Sequence, residues 1–178
     1  TLYDYETVLE QYYFKNAWTR QRKALDKKEK EIYTRDCGMK IDLLNLSWIY
    51  RAKKYYHMLP PDIYLMTIPI HYRIKVDEFK ALVEAPTVDQ FMQLLANTYY
   101  ENRFHAMQRS EGMEQFYKAC IHGMYLSDRR RNPYSLATVN TYLFLKEEEI
   151  NRLTTALECI RYGLTPRETL GYIGGAKK

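Results

Sequence analysis

The sequence contains no long run of apolar residues. Its uncharged stretches all fall short of the about 18 residues that a membrane-spanning helix needs, so we expect no transmembrane segment. A secretory signal is also missing, because the opening residues TLYDYETVLEQYY are amphipathic rather than uniformly apolar. The sequence therefore argues against an integral membrane protein.

Cysteine is scarce. The three residues Cys37, Cys120 and Cys159 share no CxxC spacing, and their odd number does not suit a disulfide framework. This usage favours a reducing compartment in which the thiols simply pack. The four histidines are scattered without the short spacing of zinc ligands, so we expect no metal site and no cofactor.

Glycine and proline are also few, with 7 and 6 residues, whereas residues that favour helices dominate. Only residues 68–76 alternate in the manner of a strand, and that segment is isolated. We therefore predict an all-α fold of long antiparallel helices. No glycine-rich loop, nucleophile–base spacing or paired-carboxylate site stands out, which argues against an enzyme.

What the sequence does contain is tyrosine and a mild positive charge. The 18 tyrosines fall at helical spacing, which favours a core filled by their rings over a surface for stacking nucleic-acid bases. The net charge of +5 allows an acidic protein partner, an anionic membrane face or nucleic acid, and does not choose among them.

Helix boundary signals recur along the chain. Residues 4–25 fit a first helix, and Asp26 with Glu29 forms a capping box that predicts a second helix ending before Pro60. The segment Ser127–Pro133 is basic and polar and fits a connector. The predicted apolar side of the first helix consists of Tyr5, Val8, Leu9, Tyr12, Tyr13 and Ala17. Later helix starts are predicted at Thr87, at about Pro133 and at Thr165.

The stretch IDLLNLSWIYRAKKYYHMLPPDI carries polar residues inside an apolar helix pattern. On a helical wheel, Asn45 falls in the same apolar arc as Trp48 and Ile49, and Leu46 lies in a second apolar strip. We expect these four residues in the core, with the Asn45 amide hydrogen-bonded there; a binding role for Asn45 is the alternative. Arg51 and Lys54 form a polar strip that is either solvated or a partner contact.

A similar stretch, EEINRLTTALECIRYGLTPRETLGYI, returns near the end of the chain. Aligning Asp42 with Glu149 places Leu46 on Leu153 and Leu43 on Ile150, so we expect Ile150 and Leu153 in the core of a second lobe. Each copy is a long helix followed by a short helix that starts with proline. The prediction is one helical domain over residues 1–178, with similar lobes at 1–108 and 109–178.

These two stretches resemble the signature regions of the C-type stalk subunits of the V-type ATPases, whose vacuolar counterpart is called d. The second region departs from the family pattern at residues 150–153, where Ile-Asn-Arg-Leu replaces Ile-x-Asn-Leu-Arg. The matching residues in the first region are Asp42, Asn45, Leu46, Ile49, Arg51 and Lys53, and those in the second are Tyr142, Lys146, Glu147, Glu149 and Ile150.

The resemblance covers residues from about Leu9 to Ile173. Family members are longer and are built as funnels of three similar helical lobes, so this chain resembles the later part of the subunit, as a fragment or a shortened member. The resemblance implies a non-enzymatic socket on the cytoplasmic face of the membrane. The implied partners are the central shaft, made of the D and F proteins, and the membrane ring of proteolipids (c or K), with no nucleic acid, no cofactor and no membrane span.

The docking residues are a separate prediction from charge. The run Arg129, Arg130 and Arg131 is the clearest basic feature, followed by Arg51 and Lys54; the alternative is that these residues are merely solvated. A rival interpretation is a basic helical nucleic-acid-binding or protein-interaction module that uses Arg129–Arg131 and the run at residues 20–23. No helix-turn-helix or RNA-recognition signature supports it.

Overall fold

The structure, a computed structural model, describes residues 2–101 and 112–173. The described part contains helices and turns but no strand, so the all-α prediction is confirmed. The predicted boundary between two lobes, at residues 108 and 109, lies outside the described residues, and the division into lobes stays a prediction. The helices are α1 (Leu2–Asn16), a π-helical turn (Ala17–Gln21), α2 (Arg22–Ala24), α3 (Lys27–Tyr55), α4 (Pro60–Met66), α5 (Val76–Glu84), α6 (Val88–Leu95), α7 (Met113–Arg131), α8 (Leu136–Arg161) and α9 (Pro166–Tyr172).

Several helix ends lie where the capping residues predict them. The Asp26 side chain accepts a hydrogen bond from the Glu29 N–H at 2.9 Å and begins α3, and the Thr87 hydroxyl accepts one from Gln90 at 3.2 Å and begins α6. Thr165 and Glu168 form a reciprocal capping box at the start of α9. Each cap satisfies N–H groups that a helix amino terminus leaves without partners.

The predicted connector Ser127–Pro133 is wrong over most of its length. Helix α7 continues through Arg131, and α8 begins after Ser135 rather than at Pro133. Arginine is a good helix former, and three cations in the last turn interact favourably with the helix dipole. Asp128 also holds this turn in place, because its carboxylate accepts a hydrogen bond from Arg35 Nε at 2.7 Å.

Helix α3 runs through the centre of the fold, and α4, α6, α7 and α8 all contact it. Its amino-terminal half meets the end of α7 through Arg35 and Asp128, so the two helices are antiparallel. Leu46 and Ile49 are fully buried, whereas Trp48 is only partly buried. The core around α3 includes Met39, Leu43, Leu46, Ile49, Ile63, Leu82, Phe91, Leu95, Tyr100, Phe116, Ile121 and Met124.

Two polar residues of α3 bind the backbone of the segment that joins α4 to α5. The Asn45 amide donates to the Ile68 carbonyl and accepts from the Ile68 N–H, both at 2.8 Å. The Asp42 carboxylate accepts from the N–H groups of residues 72, 73 and 74 at 2.7–3.3 Å and from the Tyr100 hydroxyl. Burial raises the pKa of Asp42, although these bonds act in the opposite direction. Polar groups inside the core thus satisfy a segment that lacks regular secondary structure.

The predicted apolar side of the first helix is not in the core. Tyr5, Val8, Leu9, Tyr12 and Tyr13 are between 63 and 72% exposed, and only Ala17 is buried. The polar residue Gln11 faces the body instead, and its amide donates to the carbonyls of Leu65 and Thr67. No described element covers the opposite side of α1.

The tyrosines divide in the same way. Tyr50 and Tyr100 are buried, but more of the described tyrosines are exposed than buried, so the expectation that they mainly fill the core is wrong. The cysteines are free thiols, of which Cys120 and Cys159 are buried.

A buried polar cluster joins α3, α7 and α8. Arg35 and Asp36 come from α3, Asp128 from α7 and Asn140 from α8. The Asn140 amide donates to Asp36 Oδ2 at 3.2 Å, while Arg35 serves Asp128. Burial, with the neighbouring Asp128 carboxylate, raises the pKa of Asp36 to about 8. Asp36 therefore carries a proton at neutral pH.

The two described mid-helix glycines with different surroundings give a matched test of the α3 packing. A Cβ at Gly38 would lie 2.5 Å from Tyr72 Cγ, whereas a Cβ at Gly123 in α7 meets nothing within 4 Å. We expect Gly38→Ala to lower the free energy of unfolding by about 1–2 kcal/mol, because overpacking outweighs the gain in helix propensity. Gly123→Ala should raise it by about 0.5–1 kcal/mol.

Urea unfolding followed by circular dichroism measures both changes. Gly123→Ala serves as the control for helix propensity, since both positions are inside long helices. If Gly38→Ala proved as stable as Gly123→Ala, the close approach of Tyr72 to α3 would be disproved.

The protonated state of Asp36 gives a prediction for stability against pH. Its pKa is raised to about 8 in the folded chain and is 3.8 as an ordinary value, so the folded state holds a proton that the unfolded chain releases. Stability should therefore fall as pH rises from about 4 to about 8 and then level off. Asp36→Asn removes this dependence and should be more stable than the wild type at pH 8 by more than about 1 kcal/mol.

Denaturant titrations at pH 5, 6.5 and 8 test this expectation. Glu31→Gln is the control, because Glu31 is an exposed carboxylate on the same helix. A gap between Asp36→Asn and the wild type that does not widen with pH would show that Asp36 is already ionised at pH 5.

Candidate functional site

One basic surface lies at the carboxyl-terminal end of α3. Arg51 and Lys54 are exposed there and line a cleft of about 650 Å³ together with residues 112–115 at the start of α7. Lys54 Nζ donates to the Tyr50 hydroxyl at 2.8 Å and lies 5.1 Å from the centre of the Tyr50 ring. The hydrogen bond to Tyr50 raises the pKa of Lys54, so its ammonium stays charged. We call Arg51 and Lys54 the α3-end patch.

Arg51 also lines a second cleft, of about 530 Å³, on the side of α1. Glu6 and Glu10 of α1 line the same cleft, and the partly exposed Trp48 forms part of its wall. The carboxylates of α1 thus offset part of the charge of Arg51, whereas Lys54 faces the first cleft alone.

A second basic surface lies in the last turn of α7. Arg129, Arg130 and Arg131 are all exposed, and none of them forms an ion pair with another residue in the described part of the chain. Their charges are held together by one helical turn. We call these three residues the α7-end patch.

The two patches are at opposite ends of the molecule. Residues 112–115 at the start of α7 share a cleft with the α3-end patch, and the α7-end patch forms the last turn of the same helix. A helix of 19 residues is about 28 Å long, so roughly that distance separates the patches along the axis. The structure therefore brings Arg51 and Lys54 together but does not join them to the arginine run.

The expectation that Ile150 and Leu153 belong to a core is wrong. They are 61% and 59% exposed, because α8 packs on α3 and α7 through its other side, where Ala137, Thr141 and Cys159 are buried. The exposed apolar residues of α8 recur at alternating intervals of four and three, interrupted by Lys146, which is the spacing of a helix–helix contact. They are Val139, Leu143, Ile150, Leu153, Leu157 and Ile160.

The sequence reasoning missed the Arg35, Asp36, Asp128 and Asn140 cluster. Arg35 meets a partner 93 residues away and Asp36 meets one 104 residues away. No short spacing could have brought these residues together on paper. The only available signal was the presence of charged residues within an otherwise apolar helix pattern.

The chemistry open to these surfaces is recognition by charge and by apolar contact. Residues 2–101 and 112–173 hold no group of three or more His, Cys, Asp or Glu side chains placed to bind a metal ion. In the same ranges, no helix is both long and apolar enough to cross a membrane. Two separated cationic patches and a long apolar helix face remain as the features with which a partner could interact.

The sequence matches the family model described as the ATP synthase (C/AC39) subunit over residues 1–172. No curated protein and no solved structure matches it. The family match agrees with the resemblance carried by the two motifs around Asn45 and Ile150, and that prediction is confirmed. Because the match spans nearly the whole sequence, the chain belongs to the ATP synthase (C/AC39) subunit family, whose members are subunits of rotary V-type ATP synthases.

Proposed function

We propose that this chain is a non-catalytic socket in the central stalk of a rotary V-type ATPase or ATP synthase. It joins the shaft, made of the D and F proteins, to the proteolipid ring and lies at the cytoplasmic face of the membrane as a peripheral protein. The family match carries the proposal. The fold agrees with it, since a subunit that transmits torque between two neighbours needs two contact surfaces on one stiff body.

The stiffness comes from the long antiparallel helices and from polar contacts between them. Helices α3 and α7 are joined by Arg35 and Asp128, and α3 and α8 by Asp36 and Asn140. Lys53 of α3 donates to the carbonyls of Val83 and Ala85 at 2.6 Å and so ties α3 to the end of α5. These contacts support a body in which neither end moves independently of the other.

The two basic patches give the socket its two ends. We assign the α7-end patch to an acidic surface of one neighbour and the α3-end patch to an acidic surface of the other. Cations at the rim of an interface mainly steer association and set its register, so each patch should act on a single contact. Their separation of about 28 Å prevents one small contact from engaging both.

Recovery of the complex with substituted patches tests this proposal. The chain is tagged in its native host, membranes are solubilised gently, and bound proteins are measured by quantitative mass spectrometry. Arg129→Ala, Arg130→Ala and Arg131→Ala together should reduce one neighbour about tenfold, because three exposed ion pairs of about 0.5 kcal/mol each are lost. Arg51→Ala with Lys54→Ala should reduce the other.

Arg161→Ala with Arg167→Ala is the control, since it removes two exposed cations from the corner between α8 and α9. It should leave both neighbours in place. Recovery of no rotary subunit with the wild type would overturn the socket proposal. Nucleic acid in its place, lost steeply as salt is raised, would favour the nucleic-acid module instead.

A further inference from the structure

A cleft of about 360 Å³ lies between α1, α3, α7 and α8. Asp36 of α3 is among its lining residues, and the aromatic rings of Tyr33, Tyr125 and Phe144 form much of its wall. Glu147 of α8 contributes a second carboxylate. We call this space the Asp36 cleft.

The Asp36 carboxylate is buried but incompletely satisfied. The residue is 2% exposed, and Asn140 donates to its Oδ2. Its Oδ1 atom accepts no hydrogen bond from any described residue, and the nearest cation, Arg35 Nε, is 3.9 Å away. Arg35 is engaged by Asp128 at 2.7 Å, so it cannot serve both carboxylates equally.

The charges around this position do not balance. The carboxyl groups of Asp36 and Asp128 share one guanidinium, and the proton that Asp36 retains offsets the excess. Lys40 lines the same cleft but forms no ion pair with Asp36 or Glu147 in the described structure. A cation that entered the cleft could therefore take the place of the proton.

The walls suit an organic cation. The rings of Tyr125 and Phe144 stack at 5.0 Å between centroids, and Tyr13 and Phe14 of α1 present two more rings on the opposite side. Aromatic faces beside a carboxylate attract ammonium and guanidinium groups through the ring quadrupole as well as through charge. An anion would meet Asp36 and Glu147, and a neutral apolar group would leave Asp36 Oδ1 without a partner.

We propose that the Asp36 cleft is a binding site for an alkylammonium or guanidinium group. The carboxylate of Asp36 receives the N–H donors, Glu147 adds charge at the side of α8, and the tyrosine and phenylalanine rings contact the carbon atoms. The group belongs either to a lysine or arginine side chain of a docked protein or to a free amine. This site is independent of the central-stalk role.

Binding should depend on pH with a defined sign. Entry of the cation releases the proton held by Asp36, so affinity rises as pH approaches about 8 and then levels off. Burial raises the pKa of Tyr33 and that of Tyr125 far enough that neither ionises in this interval. The titratable and charged groups that face the site are Tyr13 from α1, Tyr33, Arg35, Cys37 and Lys40 from α3, Tyr125 and Asp128 from α7, and Glu147 from α8.

Titration of the purified chain with n-butylammonium and methylguanidinium chloride tests the site, with n-butanol as the neutral comparison. Amide chemical shifts around residues 33–40 and 140–147 should change saturably with both cations and not with n-butanol, and more strongly at pH 8 than at pH 6. Asp36→Asn should abolish binding. Glu147→Gln should weaken it about two- to fivefold, as expected for a partly exposed charge.

Two further variants fix the interpretation. Lys40→Met removes a competing cation and should tighten binding, whereas Glu158→Gln removes an exposed carboxylate of α8 that does not line the cleft and should leave it unchanged. The absence of saturable shifts in the wild type, or binding to Asp36→Asn equal to that of the wild type, would overturn the proposal.

The source of the cation is then decided in the assembled complex. If Asp36→Asn lowers recovery of one protein neighbour, and n-butylammonium displaces that neighbour from the wild type, the group is a side chain of that neighbour. If recovery is unchanged and spermidine shifts the same amides at lower concentration than n-butylammonium, the group is a free amine. Both results support the site, and neither depends on whether the neighbours are rotary subunits.

Discussion

The fold depends on the hydrogen bonds by which Asn45 and Asp42 hold the segment between α4 and α5. This segment has no regular secondary structure of its own, so its N–H groups need partners inside the protein. The two α3 side chains supply them and place Tyr72 against the backbone of Gly38. Without these bonds, the segment that leads into α5 would lose its anchors on α3. The polar residues in an otherwise apolar helix are thus the condition for the packing around it.

Local signals in the sequence predicted the all-α class and most helix starts, because caps such as Asp26 and Thr165 act on N–H groups within one turn. The wheel also placed Asn45 among apolar neighbours with a hydrogen bond, and the structure identifies its partner as Ile68. Contacts between distant residues could not be predicted in this way. Arg35 and Asp128 carry no signal of each other, and the arginine run that looked like a loop extends a helix that Asp128 stabilises.

Amphipathic pattern identifies an apolar face but not what covers it. Ile150 and Leu153 obey the same pattern as Leu46, yet they are exposed and Leu46 is buried. For a subunit of a larger complex this outcome is physically reasonable, since a face that fits a neighbouring chain follows the same spacing as a face buried within the chain. The basic patches differ in kind, because charge at a helix end requires no covering to be stable.

The exposed stripe on α8 has a consequence for the life of the chain in the cell. Chaperones and proteases act on accessible apolar surface, and a copy that has not yet joined its complex presents six large aliphatic side chains on one helix. Its abundance should then follow that of its neighbours rather than its own rate of synthesis. The same side chains that would complete an assembled machine would mark a surplus copy for removal.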